Sequence, residues 1–248
     1  MAAKKTRLDQ LLVERGLAES RTRAQALIMA GAVYSQEKRL DKPGHQVAVD
    51  ITLTVRSKDH PWVSRGGLKL AHGLSHFDLK PSDWIAIDVG ASTGGFTDVL
   101  LSNGTSKVFA VDVGYGQLDS KLRDDDRVVV LERTNARHLT TENIPESVDL
   151  VVCDASFIGL RTVLPAAMAL TKPEATLVAL IKPQFEVGKD RVGKKGVVRD
   201  PDLHVEVCDT ISAWLDSQPN WNVLGIVESP ITGPEGNKEF LIGARRIP

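Results

Sequence analysis

The chain has 248 residues, 42% of them apolar and 25% charged, with a formal net charge of −1. That balance excludes a disordered or collagen-like protein, and no apolar run is long enough for a membrane span. Cys153 and Cys208 are too few and too far apart for a metal or disulfide framework, and no signal-peptide core follows Met1-Ala2-Ala3-Lys4-Lys5-Thr6-Arg7, so the expected setting is cytoplasmic, with no metal.

The charge is unevenly placed. Residues 1–60 carry 11 Lys or Arg against 7 Asp or Glu, and the remaining chain 20 against 25. A basic segment on a mildly acidic larger one points to a polyanion-binding appendage. Within it, Leu8, Leu11 and Leu12 fall at helical spacing from Arg7 to Arg15, and Gly16 follows as a stop. Ser20 is the expected N-cap of a second helix, Arg21 to Ala30, with Ala24, Leu27 and Ile28 as its buried stripe and Gly31 as its end. A short strand around Val33, a turn at Asp41-Lys42-Pro43-Gly44 and one alternating strand from Val47 to Val55 complete a compact α+β module over residues 1–59. Its spacing, RLDxLLVxRGLAxSRxxAxxLIxAGxV, resembles the S4 RNA-binding domain. The resemblance implies that Arg7, Arg21, Arg23, Lys38, Arg39 and Lys42 meet the phosphates of structured RNA. Tyr34-Ser35-Gln36-Glu37 departs from the small turn usual in that domain.

Residues 60–66 (HPWVSRG) are polar, contain Pro61 and read as a linker, with Trp62 available to pack the two parts together. A helical pattern runs from Leu68 to Phe77. From Trp84 onward strand patterns at 84–89, 107–113, 127–131, 148–153, 176–181, 222–228 and 239–244 alternate with helical ones around 96–102, 117–123, 159–170 and 202–216. Such alternation implies right-handed crossovers and a mostly parallel sheet covered on both faces. A Gly/Pro-rich loop joins the last two strands, as in an antiparallel hairpin. Seven strands ending in a hairpin resemble the methyltransferase variant of the doubly wound fold, so the fold expected over residues 67–248 is α/β, Rossmann-like, of the class I methyltransferase kind with a seven-stranded, mostly parallel sheet.

Residues 88–98, DVGASTGGFTD, follow the first strand of this part. A strand, a glycine-rich turn and a helix start form a grip for a nucleotide-like cofactor. Gly90-Ala91-Ser92-Thr93-Gly94 also fits G-x-S-x-G, the turn that carries a hydrolase nucleophile. Ligands in such sheets bind beyond the carboxyl ends of the strands. Asp88, Asp112, Asn135, Asp154 and Lys182 are all expected at such ends, and Asp112 is suited to both hydroxyls of a ribose. The candidate cofactor residues are Asp88, Gly90, Ser92, Thr93, Gly94, Gly95, Phe96, Asp112 and Asn135. The competing hydrolase uses Ser92, Asp154 and His204, but His204 falls inside a helical pattern and no earlier strand supplies an oxyanion loop.

The ordered set RGGLKL (65–70), DVGASTGGFTD, VDVGYGQL (111–118), CDASFI (153–158), IKPQFE (181–186) and SPITGPEGNKEF (229–240) resembles the TlyA family across essentially the whole chain. These are S4-containing, S-adenosylmethionine-dependent 2′-O-methyltransferases of ribosomal RNA cytidines, historically labelled haemolysins. The resemblance implies a catalytic set of Lys69, Asp154, Lys182 and Glu239, with Glu235 a nearby rival for the last. It adds Arg65 to the RNA contacts, and implies a ribosomal RNA or ribosomal-subunit substrate and a monomer without membrane partners. The old label leaves a membrane-active protein as a further alternative, which no long basic amphipathic helix supports. Gly159 and Lys195 depart from the family pattern outside the catalytic positions, so they are expected to alter loop conformation only.

Overall fold

The computed structural model describes residues 5–29, 31–55 and 60–248, which form two compact units dividing after Pro61. In the first, β1 (Lys5–Arg7) runs directly into α1 (Leu8–Glu14), followed by α2 (Arg21–Met29), β2 (Val33–Ser35), β3 (Lys38–Arg39), β4 (Gln46–Ala48) and β5 (Thr54–Val55). Leu8, Leu11, Leu12, Ala24 and Ile28 pack with Val33, Leu40 and Val47 into one small core, as the 3–4 spacing predicts. Ser20 Oγ accepts from Arg23 N at 3.1 Å as the cap of α2. Ala30, its expected last residue, lies outside the described residues.

The single strand expected from Val47 to Val55 is not present. Val47 pairs through β4 with β1, whereas Thr54 and Val55 pair through β5 with β2 in a separate sheet. Arg15 accounts for the break: its guanidinium donates to the carbonyl oxygens of Val49 and Ile51 and holds the chain in a turn. Alternation alone had suggested one extended segment.

The second unit begins inside the predicted linker. Trp62 and Val63 pack on its core, Val63 N donates to Asp98 Oδ2 at 2.8 Å, and α3 (Gly66–His76) starts two residues before the expected Leu68. Residues 56–59, also near the expected boundary, lie outside the described ones. Then come β6 (Ile85–Val89), α4 (Gly95–Ser102), β7 (Lys107–Val111), α5 (Ser120–Arg123), β8 (Val128–Leu131), β9 (Val148–Cys153), α6 (Leu160–Ala169), β10 (Thr171–Ile181), α7 (Pro183–Glu186), α8 (Pro201–Asp216), β11 (Trp221–Glu228) and β12 (Phe240–Arg246). The sheet order is β11-β12-β10-β9-β6-β7-β8, parallel except for β12, which runs antiparallel to both β10 and β11. This is the expected seven-stranded methyltransferase sheet. From β6 the chain winds outward through β7 and β8, then returns to β9 on the other side of β6, and that reversal opens a crevice beyond the strand ends.

Strand periodicity divides the core. Ile87, Val89, Val151, Leu177, Ala179 and Ile181 face the layer that includes Leu164 of α6 and Ile211 of α8. Ala86, Val108, Leu150, Val152, Val178 and Leu180 face the layer that includes Leu70 of α3 and Leu100 of α4. Burying each valine, leucine or isoleucine here stabilises the fold by about 1.5–3 kcal/mol. Among the described residues no helix is long and apolar enough to cross a membrane.

Candidate active site

The glycine turn after β6 owes its shape to close backbone approach. Gly90 has φ +83, and a Cβ there would lie 2.9 Å from the backbone of Ala155, so only glycine lets the segment after β9 lie across the turn. Ser92 N donates to Asp112 Oδ2 at 2.8 Å, and Gly114 N to Asp112 Oδ1 at 2.7 Å. Asp112 thereby ties the turn to the end of β7. A cavity of about 730 Å³ opens here, lined by Gly90, Ser92, Asp112, Asn135, Asp154 and Phe157 among others. A smaller one of about 220 Å³ shares Gly90, Ser92, Asp154 and Ser156 with it and is bounded by Arg65, Lys69, Thr93, Gly95, Phe96 and Lys182.

Asp88 and Gly94 line neither cavity. β6 runs to Val89, the end its pattern predicts, so Asp88 lies one residue inside that end, and the pleat turns it toward α4. There its Oδ2 accepts from Thr97 N at 3.0 Å and from Thr97 Oγ1 at 2.7 Å, fastening the first turn of α4. Complete burial pushes the Asp88 carboxyl up to about 7, against the pull of Thr97 and with the help of the Asp154 and Asp112 charges. Burial likewise pushes the Cys153 thiol up to about 12, which leaves it inert at neutral pH.

Lys69, Asp154, Lys182 and Glu239 come together in one cluster: Asp154 lies on the shared wall, the two lysines line the smaller cavity, and Glu239 stands behind Lys69. Lys69 comes from the first turn of α3, Asp154 directly follows β9, Lys182 follows β10 and precedes Pro183, and Glu239 immediately precedes β12. Lys69 Nζ stands 2.6 Å from Glu239 Oε2 and 3.7 Å from Asp154 Oδ2, and Lys182 Nζ stands 2.6 Å from Asp154 Oδ1. Both lysines and Glu239 are buried, whereas the Asp154 side chain is 22% exposed. Each buried charge thus has an opposite partner, the condition under which burial is tolerated. A Cβ on Gly233 would sit 2.1 Å from Glu239 Oε1, so the loop before β12 can wrap Glu239 only with glycine at that position. The rival Glu235 is exposed on that loop.

The hydrolase geometry is absent. Ser92 Oγ donates to Gln117 Oε1 at 3.3 Å, while His204 is buried on α8 with Nε2 2.9 Å from the Val198 carbonyl oxygen and its ring against Phe240. A histidine fixed in that way is a packed core residue, not a base for Ser92.

In the first unit Arg7 and Arg21 meet on one buried carboxylate. Arg7 donates twice to Asp9 at 2.9 Å, Arg21 Nε once at 3.0 Å, and Gln25 Nε2 at 2.9 Å. The Arg7 guanidinium, with Gln25 and Arg21, holds the Asp9 carboxyl far below the usual carboxylate range despite its burial. Arg23, Lys38, Arg39 and Lys42 are exposed. Arg65 stands apart from these six, in the second unit at the rim of the smaller cavity.

Three further residues hold the site. Ser156 Oγ accepts from Lys182 Nζ at 2.9 Å. Glu186 Oε1 accepts from Leu160 N at 2.7 Å and caps α6, and burial raises its carboxyl above the ordinary range. Asn237 Oδ1 accepts from Val198 N at 3.1 Å and its Nδ2 donates to the Gly196 carbonyl at 3.0 Å, clamping the Glu239 loop. All three stand in motifs quoted above, but their partners are 26 to 41 residues away, and no local pattern reveals such pairing.

Residues 62–246 match the FtsJ-like methyltransferase family, and residues 6–50 the S4 domain. A Bacillus subtilis protein, YqxC, named as a candidate rRNA methyltransferase, is 51% identical over 246 residues, 98% of this chain and 86% of that protein. The 16S/23S rRNA (cytidine-2′-O)-methyltransferase TlyA of Mycobacterium tuberculosis is 48% identical over 244 residues, covering 98% of this chain and 91% of its own. A solved structure from Streptococcus thermophilus, titled as a hemolysin candidate, aligns with TM-score 0.75 at 41% identity, covering 99% of this chain and 90% of that one. The chain therefore belongs to the FtsJ-like methyltransferase family, in its S4-containing TlyA branch.

Proposed function

We propose that this chain transfers a methyl group from S-adenosylmethionine to the ribose 2′-hydroxyl of a cytidine in ribosomal RNA. The observation that carries the reading is the ion-pair cluster of Lys69, Asp154, Lys182 and Glu239, whose two amines line the smaller cavity and whose Asp154 stands on the wall that the two cavities share. The reaction named for TlyA, 48% identical over nearly the whole chain, supports it.

The larger cavity suits the donor. Its volume falls within the usual range of about 300–1,000 Å³ for such ligands. Each Asp112 oxygen already accepts one backbone N–H and keeps a lone pair for a ribose hydroxyl. Val113, Ala136 and Ile158 offer apolar walls for an adenine beside Asn135, and the turn at Gly90 and Ser92 leaves space for the methionine portion. S-adenosylmethionine, when bound, supplies an electrophilic methyl on a sulfonium.

The chain's own residues do the rest. Lys182 Nζ meets the 2′-oxygen and takes up its proton or stabilises the charge left behind. Lys69 steers the hydroxyl and the adjoining phosphate, Asp154 stands between the two amines, and Glu239 fixes Lys69. Much of the acceleration comes from alignment of oxygen and methyl. The exposed cations of the first unit, with Arg65, hold RNA phosphates, and the working form is a cytoplasmic monomer. Mapping 2′-O-methyl groups on ribosomal RNA incubated with the wild-type chain and with Lys182→Ala tests the reading. Methylated cytidine is expected with the first alone, and its absence from both overturns the proposal.

A further inference from the structure

Lys182 Nζ donates to two acceptors, the Asp154 carbonyl oxygen at 3.1 Å and Ser156 Oγ at 2.9 Å, and stands 2.6 Å from Asp154 Oδ1 as an ion pair without hydrogen-bond geometry. A lysine ammonium has three donors, so these two bonds fix the direction of the amine and leave one donor over. The ion-pair partner and the first acceptor belong to one residue that is rooted in the sheet, since Asp154 N donates to the Val89 carbonyl at 3.0 Å. The second acceptor differs in kind. Ser156 is exposed, lines both cavities, and its hydroxyl has Lys182 as its sole hydrogen-bond partner among the described residues.

The segment carrying Ser156 is pinned on both sides. Before it stands Asp154. After it, Phe157 adopts φ 66, its ring lies 5.3 Å from that of Phe185, and Leu160 N is held by Glu186. Phe185 and Glu186 both belong to α7, which starts directly after Lys182. The serine and the lysine are therefore set against each other by a common frame.

We infer, building on the methyl-transfer reading above, that Ser156 is a positioning residue for Lys182. Its hydroxyl fixes one N–H of the amine on the wall of the smaller cavity and yields that N–H to the ribose hydroxyl as the acceptor nucleotide enters. Exchanging one hydroxyl acceptor for another keeps the number of hydrogen bonds on the amine, so docking costs it none. Removing the hydroxyl leaves one N–H without a fixed acceptor and lets the amine swing about its pair with Asp154, which misaligns a reaction that depends on alignment.

The experiment compares the full wild-type chain with Ser156→Ala and Ser156→Thr, using S-adenosylmethionine and ribosomal RNA. Ser156→Ala is expected to lower kcat about ten-fold or more while both KM values stay within about two-fold. Ser156→Thr, which keeps an Oγ, restores kcat to within about three-fold of wild type. A second readout needs no activity. With ¹⁵N on lysine Nζ, the Lys182 ammonium signal (assigned through its loss in Lys182→Arg) should be sharp in wild type and Ser156→Thr but exchange-broadened in Ser156→Ala. An unchanged kcat in Ser156→Ala, equal impairment of both variants, or identical ammonium signals overturns the inference. A wild-type chain that methylates no RNA overturns the underlying reading instead, and the ammonium comparison then decides whether Ser156 fixes the amine.

Discussion

Two charge clusters in this chain use the same chemistry turned inside out. In the first unit a single carboxylate, Asp9, is buried, and the cations around it, Arg7 and Arg21, are 36% and 51% exposed. In the second unit the cations are buried, at 8% for Lys69 and 7% for Lys182, and they face a cavity. A buried anion beneath exposed guanidiniums holds their forks in place while leaving donors for a passing phosphate. Buried amines on a cavity wall meet only what enters the cavity. The first arrangement suits the capture of a large polyanion, the second chemistry on one small group.

Lys182→Ala should divide the two clusters most sharply. Methyl transfer is expected to fall by about 10³-fold, while binding of RNA and of S-adenosylmethionine stays within a few-fold, measured by transfer assay and calorimetry. A variant keeping a tenth of its activity would move the reaction centre elsewhere.

Asp112→Ala removes the proposed ribose acceptor and the tie between the turn and β7. Calorimetry should show S-adenosylmethionine bound about 10- to 100-fold more weakly, an effect of about 1–3 kcal/mol, with RNA affinity retained. The reverse pattern would assign Asp112 to RNA.

Asp9→Asn tests the first cluster. It should cost about 1–2 kcal/mol of stability and weaken RNA binding without touching cofactor affinity. The Asp9 carboxyl lies below its ordinary range in the folded chain, so its contribution is present above about pH 4 and is lost as pH falls through the folded value. Thermal melts of the two proteins should therefore converge in acid. Divergence there would mean that packing, not charge, accounts for the difference.

Asp88 gives a test of another kind, read in the pH dependence of stability. Its folded value of about 7 lies above the unfolded 3.8, so it contributes stability in full below about pH 4 and loses that contribution as pH rises to about 7. Asp88→Asn, whose amide oxygen still accepts from Thr97, should flatten the fall in melting temperature across that interval. Parallel curves would show that Asp88 titrates in the ordinary range.

The strands around the site were readable because burial leaves a period in the apolar residues, and Lys182 stood out because it follows five apolar residues, Leu177 to Ile181, and precedes Pro183. Other parts left no such trace. β10 begins at Thr171, but Lys172-Pro173-Glu174 breaks the apolar pattern and the strand shifts register there. Asp88 was legible as an acidic residue near a strand end, yet its place one residue inside that end turns it toward α4 and away from the cavity. Ser156, Glu186 and Asn237 take their meaning from partners brought near only by the fold. The alternation from Val47 to Val55 misled because a distant arginine, Arg15, claims the intervening carbonyls.

The wall of the larger cavity is drawn wholly from residues between Val89 and Val163, on β6, β7 and β9 and the segments beyond them. Lys69, Lys182 and Glu239 come from outside that stretch, and Glu239 is set only when β12 has slotted between β10 and β11. The lining of the larger cavity and three of the four clustered charges are thus separate stretches of the chain. Loss of the stretch from Glu239 onward would remove the partner of Lys69 and spare every residue of that lining.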